Sequence, residues 1–445
     1  MRIVQWTAIL LLFCLCDARL DFWNGKESTH NHNKVNDLNP NKFSPVIFIP
    51  GCGGNKLQAR LNKAIVPHFF CWKNNDYFDV WLDPTQMVPL EIDCWVDNMK
   101  LSYDNVTRKT RNTPGVEFKL PEFGRTEDLE WVDTTPIVDR YDYGAYYYSI
   151  AHALVDRGYA RGYTLFGAPY DFRRGPNENK DWFLRLKELV EYSYKMNDNI
   201  GVTFIAHSMG GRMLLHFLQQ MPQEWKDQYV KQMITLSTPW GGSIQAIQAI
   251  SVGYDFGANV IQNIKMKQVQ ETCPSVVWLM PSKHFWKQDE VMVTMNKKNY
   301  TLQNIDQFFY DIGLKNAVEM RKDLEPFDDF TAPGVEVHCL YGENVGDTVE
   351  RLDFGAAYNQ YPTIILGNGD GTVNRRSLIG CGHWENSDSQ GEHKIYQHAY
   401  PNVEHYNLLS DAGPINYILS KLTGDHDYPR STERPSSNMM KIRLF

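Results

Sequence analysis

Three observations predict an α/β fold, a largely parallel sheet with helices on both faces. Short β-branched and aromatic runs recur at 46–49 (VIFI), 202–206 (VTFIA), 232–236 (QMITL), 335–342 (VEVHCLYG) and 363–367 (TIILG), each followed by Gly, Ser or Pro punctuation. Between them lie amphipathic periods. WFLRLKELVEYSYKM (182–196) sets Phe183, Leu186, Leu189, Val190 and Tyr194 on one face, and MLLHFLQQM (213–221) does so with Met213, Leu214, Phe217, Leu218 and Met221. Strands that alternate with such helices build parallel sheets, because the crossovers need the helices.

Taken in chain order, residues 1–18 read as a cleaved secretory signal: one early Arg, then an apolar run from Trp6 to Cys16. That run is shorter than the ~20 residues needed to span a bilayer. Residues 19–44 are a polar lead-in. The main domain is expected over 45–422, interrupted by an insertion at 60–110 and by a cap at 243–330, where the strand and helix periods fail. Residues 423–445 carry no periodicity and read as a disordered tail.

Removing the signal takes Cys14 and Cys16 and leaves Cys52, Cys71, Cys94, Cys273, Cys339 and Cys381, some of which pair in an oxidising compartment. Spacing alone leaves the connectivity open. Sequons at Asn105 and Asn299 agree with a secretory route. With 53 acidic against 45 basic residues and no block of like charge, nucleic acid is excluded as a partner. The aromatic fraction of 13% points instead to apolar ligands or surfaces.

The run FIAHSMGGRM (204–213) leaves a buried strand, passes His207 and Ser208, and enters a helix through two glycines. This is the pattern of the nucleophile elbow of α/β-hydrolases, in which a strained turn lifts a serine above the sheet. Ala206 stands where a glycine is usual, a mild departure because the position demands small size. The competing reading is an ordinary turn with Ser208 as a helix N-cap.

A serine nucleophile needs a histidine base and an orienting carboxylate, which in this fold follow in the order Ser, Asp, His. Asp370 in IILGNGDGTVN follows a strand among glycines, its plainer reading being an Asx turn or a cation-binding loop. His405 precedes a helical run and leads His398 narrowly; His383, His393 and the in-strand His338 are weaker. His207 is placed to support the elbow. Backbone N–H groups of Met209 and of the loop IPGCGGN would form the oxyanion hole, with Cys52 as a loop residue contributing backbone and not a nucleophile.

The segments PVIFIPGCGGNKLQARL, CWKNNDYFDVWLD, GAPYDFRRGPNEN, IAHSMGG, QEWKDQYV, LSTPWGGS, APGVEVHCLYG and NGDGTVN together resemble the lecithin:cholesterol acyltransferase and lysosomal phospholipase A2 (group XV) family, from about 45 to 422. The resemblance implies Ser208, Asp370 and His405 as the catalytic residues and the N–H groups of Cys52 and Met209 as the oxyanion hole. It implies disulfides Cys71–Cys94 and Cys339–Cys381, with Cys52 and Cys273 free. It implies that the 60–110 insertion binds lipid through residues such as Trp72, Trp81 and Leu82.

The expected activity is phospholipid acyl hydrolysis or acyl transfer through a serine-acyl enzyme, with no metal or cofactor. The partner would be a phospholipid membrane or lipoprotein surface, with a lipophilic alcohol as possible acceptor. The location would be the lysosome or the extracellular fluid. The rival readings are a neutral-lipid lipase or esterase, which would use the same three residues, and a catalytically silent lipid-binding protein.

Overall fold

The computed structural model describes residues 43–133, 144–255, 263–358, 360–386 and 393–424. The expected signal segment, the lead-in up to residue 42 and the tail from residue 425 lie outside the described residues.

Six strands form the central sheet: β1 (Val46–Ile49), β2 (Leu165–Gly167), β3 (Val202–His207), β4 (Val230–Leu236), β5 (Val337–Glu343) and β6 (Ile395–Pro401). Their order is β6-β5-β4-β3-β1-β2, and every neighbouring pair is parallel. Alternate residues serve the two faces. Ile47, Ile49, Phe204, Ala206, Met233 and Cys339 pack with helices α2 (Lys180–Met196) and α3 (Met209–Gln219). Val46, Phe48, Ile205, Ile234, Leu236 and Leu340 pack with α1 (Tyr148–Val155) and α4 (Ala412–Leu422). Burial on both faces is why these strands read as continuous apolar runs. This is the α/β-hydrolase arrangement, with β3 delivering the elbow serine from the interior of the sheet.

One expected strand belongs elsewhere. The run at 363–367 extends over Thr363–Gly369, but pairs antiparallel with Val345–Asp353 in a second, four-stranded sheet. The same sheet takes the hairpin Val291–Met295 and Lys298–Thr301 from the 243–330 region. Chain on either side of β5 therefore completes a sheet that the local pattern assigned to the parallel core. Two strands of that core carry little sequence signal: β2 is three residues long, and β6 is an edge strand on which Gln397 is exposed and His398 half-buried. On α2 the buried stripe includes Leu186, Leu189 and Val190 as expected, with Trp182 added, while Phe183 and Tyr194 are half-buried at its flank.

Between β1 and β2 the chain forms a three-stranded antiparallel sheet of Asn74–Trp81, Leu57–Asn62 and Val116–Lys119, a helix Ile92–Met99, and the hairpin Leu101–Asp104/Lys109–Asn112. Cys71 is bonded to Cys94 and Cys339 to Cys381, with Cys52 and Cys273 free. Asn105 and Asn299 are both exposed. Among the described residues no helix is long and apolar enough to cross a membrane.

Candidate active site

Strand β3 is buried from Val202 to His207, and helix α3 is buried again from Met209; Ser208 between them is half-exposed. It sits at φ 53° and ψ −128°, a conformation that favours glycine and is costly for a residue with a Cβ. The neighbours enforce this turn by crowding it. A Cβ on Gly210 would stand 2.5 Å from the Pro50 carbonyl oxygen, and one on Gly211 would stand 2.0 Å from Thr238 Oγ1. The Ser208 N–H donates to the Leu236 carbonyl at 2.8 Å, tying the turn to β4. Its side chain makes no N-cap bond to α3, so the plain capping role is absent.

The Ser208 hydroxyl instead lies 2.9 Å from His405 Nε2, and His405 Nδ1 lies 2.7 Å from Asp370 Oδ2. Asp370 is fully buried, and His405 almost so. The other oxygen, Oδ1, accepts the N–H groups of Thr372 at 3.1 Å and Val373 at 2.7 Å, while the Asp370 carbonyl accepts the His405 N–H at 2.9 Å. Asp370 is thus an Asx-turn residue and the histidine's partner together; the two sequence readings were not exclusive. With a carboxylate on Nδ1, the free lone pair faces the serine from Nε2, the arrangement of a general base.

The rival histidines are engaged elsewhere. His338 Nδ1 lies 2.7 Å from the Tyr417 hydroxyl, and the His398 ring packs 4.0 Å from the Tyr417 ring. His383 stacks on Phe285, and His393 contacts Gln223. His207 is buried at the elbow, and burial together with the neighbouring His405 holds its pKa well below the ordinary imidazole value.

The loop 49–55 reaches the serine from the end of β1, where a Cβ on Gly51 would lie 2.8 Å from Ser208 Cβ. Side chains hold its polar backbone groups in turn. Tyr147 donates to the Ile49 carbonyl, Tyr170 to that of Pro50 and the Trp81 indole to that of Gly53, each at 2.8 Å. The Gly51 N–H donates to the Tyr146 hydroxyl at 2.9 Å. Met209 follows the serine directly, and its N–H and that of Cys52 make no hydrogen bond to protein among the described residues. Burial pushes the Cys52 and Cys273 thiols up to about 12, so neither is poised as a thiolate nucleophile.

Ser208, His405 and Cys52 border a cavity of about 120 Å³ whose wall is mainly Trp81, Trp95, Met99, Phe172, Val269, Val276 and Leu279. Arg173 also lines it, but its guanidinium is paired with Asp171 at 2.8 Å. Burial pushes Asp171 up, yet Arg173 and Arg174 outweigh it and keep the carboxyl below its usual range. The wall therefore carries a compensated ion pair on an apolar lining, a surface suited to a hydrocarbon chain.

Of the residues expected to meet lipid, Trp81 lines this cavity and Trp72 is 59% exposed on the surface. Leu82 does neither: it is half-buried against both core clusters, and its N–H donates to the Val132 carbonyl. Met87 and Ile92, part of the same apolar segment, are core residues. Ile65 and Phe69 lie before the first cysteine of the bridge and went unnoticed in the sequence; they are 83% and 98% exposed. Tyr146, Tyr147 and Tyr170 were also missed, since no local pattern distinguishes a tyrosine that will meet a loop about a hundred residues away.

Residues 77–330 match the family model described as lecithin:cholesterol acyltransferase. The chain is 38% identical over 379 residues to the mouse protein named lysosomal phospholipase A and acyltransferase, covering 85% of this chain and 90% of that one. The human protein of that name is 37% identical over 385 residues, covering 86% and 91%. Mouse phosphatidylcholine-sterol acyltransferase is 34% identical over 434 residues, 96% of each chain.

Proposed function

The chain belongs to the lecithin:cholesterol acyltransferase family, and on that footing we propose that it detaches a fatty-acyl group from a glycerophospholipid as an ester on Ser208 and passes it to water or a lipophilic alcohol. The observation that carries the reading is the 2.9 Å approach of Ser208 Oγ to His405 Nε2 at the wall of an apolar cavity.

In the first half-reaction Ser208 Oγ attacks the ester carbonyl carbon while His405 Nε2 takes the hydroxyl proton. Asp370 holds the ring and stabilises the imidazolium that forms. Negative charge gathers on the former carbonyl oxygen, to which the N–H groups of Cys52 and Met209 donate hydrogen bonds, at roughly 3 kcal/mol each in the transition state. When the tetrahedral intermediate collapses, the bond to the lysophospholipid oxygen breaks and His405 returns its proton there. The second half repeats the sequence with water or an alcohol as nucleophile, giving a free fatty acid or a new ester.

The substrate is a component of a surface, and exposed apolar side chains support peripheral binding to it. Ile65, Phe69, Trp72 and Leu90 present large apolar groups to solvent near the Cys71–Cys94 bridge. The signal-like N-terminus supports a lysosomal or extracellular location.

The test is turnover of phospholipid vesicles at acidic and neutral pH, with and without a long-chain alcohol, by wild type and Ser208→Ala. Fatty acid should appear without the alcohol, and an alkyl ester should replace part of it when the alcohol is added. The serine variant should lose at least ~1,000-fold. Activity that survives in Ser208→Ala would remove the proposed nucleophile.

A further inference from the structure

One buried hydrogen-bonded chain joins the three parts of the site and uses residues outside the serine-histidine-aspartate set. The Gly51 N–H donates to the Tyr146 hydroxyl, the Tyr146 hydroxyl bonds His207 Nδ1, and His207 Nε2 reaches the main-chain carbonyl of His405 at 3.2 Å. A carbonyl only accepts, so Nε2 of His207 carries the proton and Nδ1 accepts from Tyr146. Tyr146 then spends its one donor on His207 and accepts from Gly51. Tyr146 and His207 are 4% and 1% exposed, so water does not compete for these bonds.

We propose that Tyr146 and His207 are positioning residues that hold the loop after β1, the elbow and the base in register, so that the Cys52 N–H faces the developing oxyanion before substrate arrives. The inference rests on the acyl-serine reading above and adds to it the source of its preorganisation.

The geometry of the loop carries the argument. The Gly51 carbonyl accepts the Gly54 N–H at 3.1 Å, closing a tight turn. In a trans peptide the following N–H points opposite to that carbonyl, so the Cys52 N–H faces away from the inside of the turn. The Gly54 bond to the Gly51 carbonyl sets the plane of the Gly51–Cys52 peptide, and the Tyr146 bond to the Gly51 N–H holds the preceding Pro50–Gly51 peptide, so the two bonds together pin the backbone on both sides of the Gly51 Cα. The tyrosine ring adds a steric wall: a Cβ on Gly54 would come within 2.4 Å of Tyr146 Cζ, and one on Gly51 within 3.0 Å of its hydroxyl. The ring also meets Tyr406, the neighbour of the base, edge-on at 6.1 Å. His207 continues the link, since it ends β3 at the elbow and bonds the backbone of His405 itself.

The hydroxyl of Tyr146 can be removed while the ring stays. Tyr146→Phe keeps the packing against Gly51 and Gly54 but leaves the Gly51 N–H free to tilt. A misplaced oxyanion donor lowers the rate of the chemical step more than it weakens substrate binding.

The experiment compares wild type, Ser208→Ala, Tyr146→Phe, His207→Asn, His207→Leu and Tyr146→Phe/His207→Leu on a soluble short-chain nitrophenyl ester. Functional sites are counted by end-point labelling with a fluorophosphonate, so that unfolded protein does not enter the rates. Tyr146→Phe should lower kcat per labelled site by roughly 10- to 100-fold with KM within about 3-fold. His207→Leu should match it, and His207→Asn, which keeps an acceptor where Nδ1 stood, should recover part of the loss. The double variant should be no slower than the slower single one, because the two residues form one chain. A Tyr146→Phe kcat within about 3-fold of wild type, additive losses in the double variant, or a loss seen only in the number of labelled sites would each overturn the proposal. Should Tyr146→Phe not fold, equal kcat for His207→Asn and His207→Leu overturns it in the same way. Turnover that persists in Ser208→Ala would instead refute the acyl-serine reading, a different failure from these.

Discussion

The loop 49–55 and the segment around the Cys71–Cys94 bridge both serve the proposed reaction, yet they are stabilised by opposite means. In the loop, the carbonyls of Ile49, Pro50 and Gly53 and the N–H of Gly51 are each bonded to a buried aromatic side chain. Around the bridge, Phe69, Trp72 and Ile65 face solvent, and a covalent link anchors the segment to the helix Ile92–Met99. A group that stabilises a transition state must already point the right way, because reorienting it during the reaction forfeits most of its effect. A group that enters a lipid surface needs apolar area at the boundary and tolerates movement. One region is therefore satisfied internally, and the other presents apolar groups that the proposed lipid surface would cover.

Three measurements can break or sharpen this contrast. The largest effect is expected from Gly51→Ala, whose new Cβ would stand 2.8 Å from Ser208 Cβ and 3.0 Å from the His207 carbonyl oxygen. Steady-state kinetics should show kcat on a soluble ester falling by roughly 100-fold, with vesicle binding unaltered. A variant that keeps its kcat would show that the loop is not rigid in the sense argued.

Next comes the pair Phe69→Ala/Trp72→Ala. Co-sedimentation with phosphatidylcholine vesicles should weaken by roughly 10- to 100-fold through lost apolar burial, while turnover of the soluble ester holds. A parallel fall in both activities would mean that the two regions are not separable.

The smallest effect is acid destabilisation of the frame that carries both. His338 is fully buried against Tyr396, Tyr417 and Gln232, and burial, outweighing the nearby Glu336, lowers its pKa from 6.5 to about 4. The folded state therefore prefers the neutral ring, while the unfolded chain takes up a proton below about pH 6.5. That contribution to stability is complete above pH 6.5 and is lost as the pH falls towards 4. The difference between pH 7 and pH 5 would be at most about 2 kcal/mol. Urea unfolding of the wild type and His338→Gln should show the wild type losing more stability over that range; equal losses would contradict the assignment.

The elbow was legible because its chemistry is local. A buried strand, small residues and an amphipathic helix within about twenty positions leave few alternatives. Asp370 and His405 were legible through chain order and turn composition, although spacing alone barely separated His405 from His398. The structure adds why: His398 is spent on Tyr417, while His405 is held by the carboxylate and backbone of Asp370. The destination of Thr363–Gly369 was not legible, since a strand's own residues do not name its partner, and Val345–Asp353 is only half-buried. Nor were the tyrosines that hold the loop, because their role exists only once chain segments about a hundred residues apart have met. Within the insertion, apolar content was visible, but not the division that buries Met87 and Ile92 and leaves Phe69 outside.

Asp370 gives its two oxygens to two masters. Oδ1 closes the turn through Thr372 and Val373, while Oδ2 orients the base. At many active sites the working group is a burden on the fold, so that discarding it raises stability at the expense of rate. In the proposed mechanism the same carboxylate is both a structural fastening and the group that orients the base, so a substitution at this position would forfeit both together. Selection for a sturdier protein and selection for a faster one therefore pull this residue in the same direction.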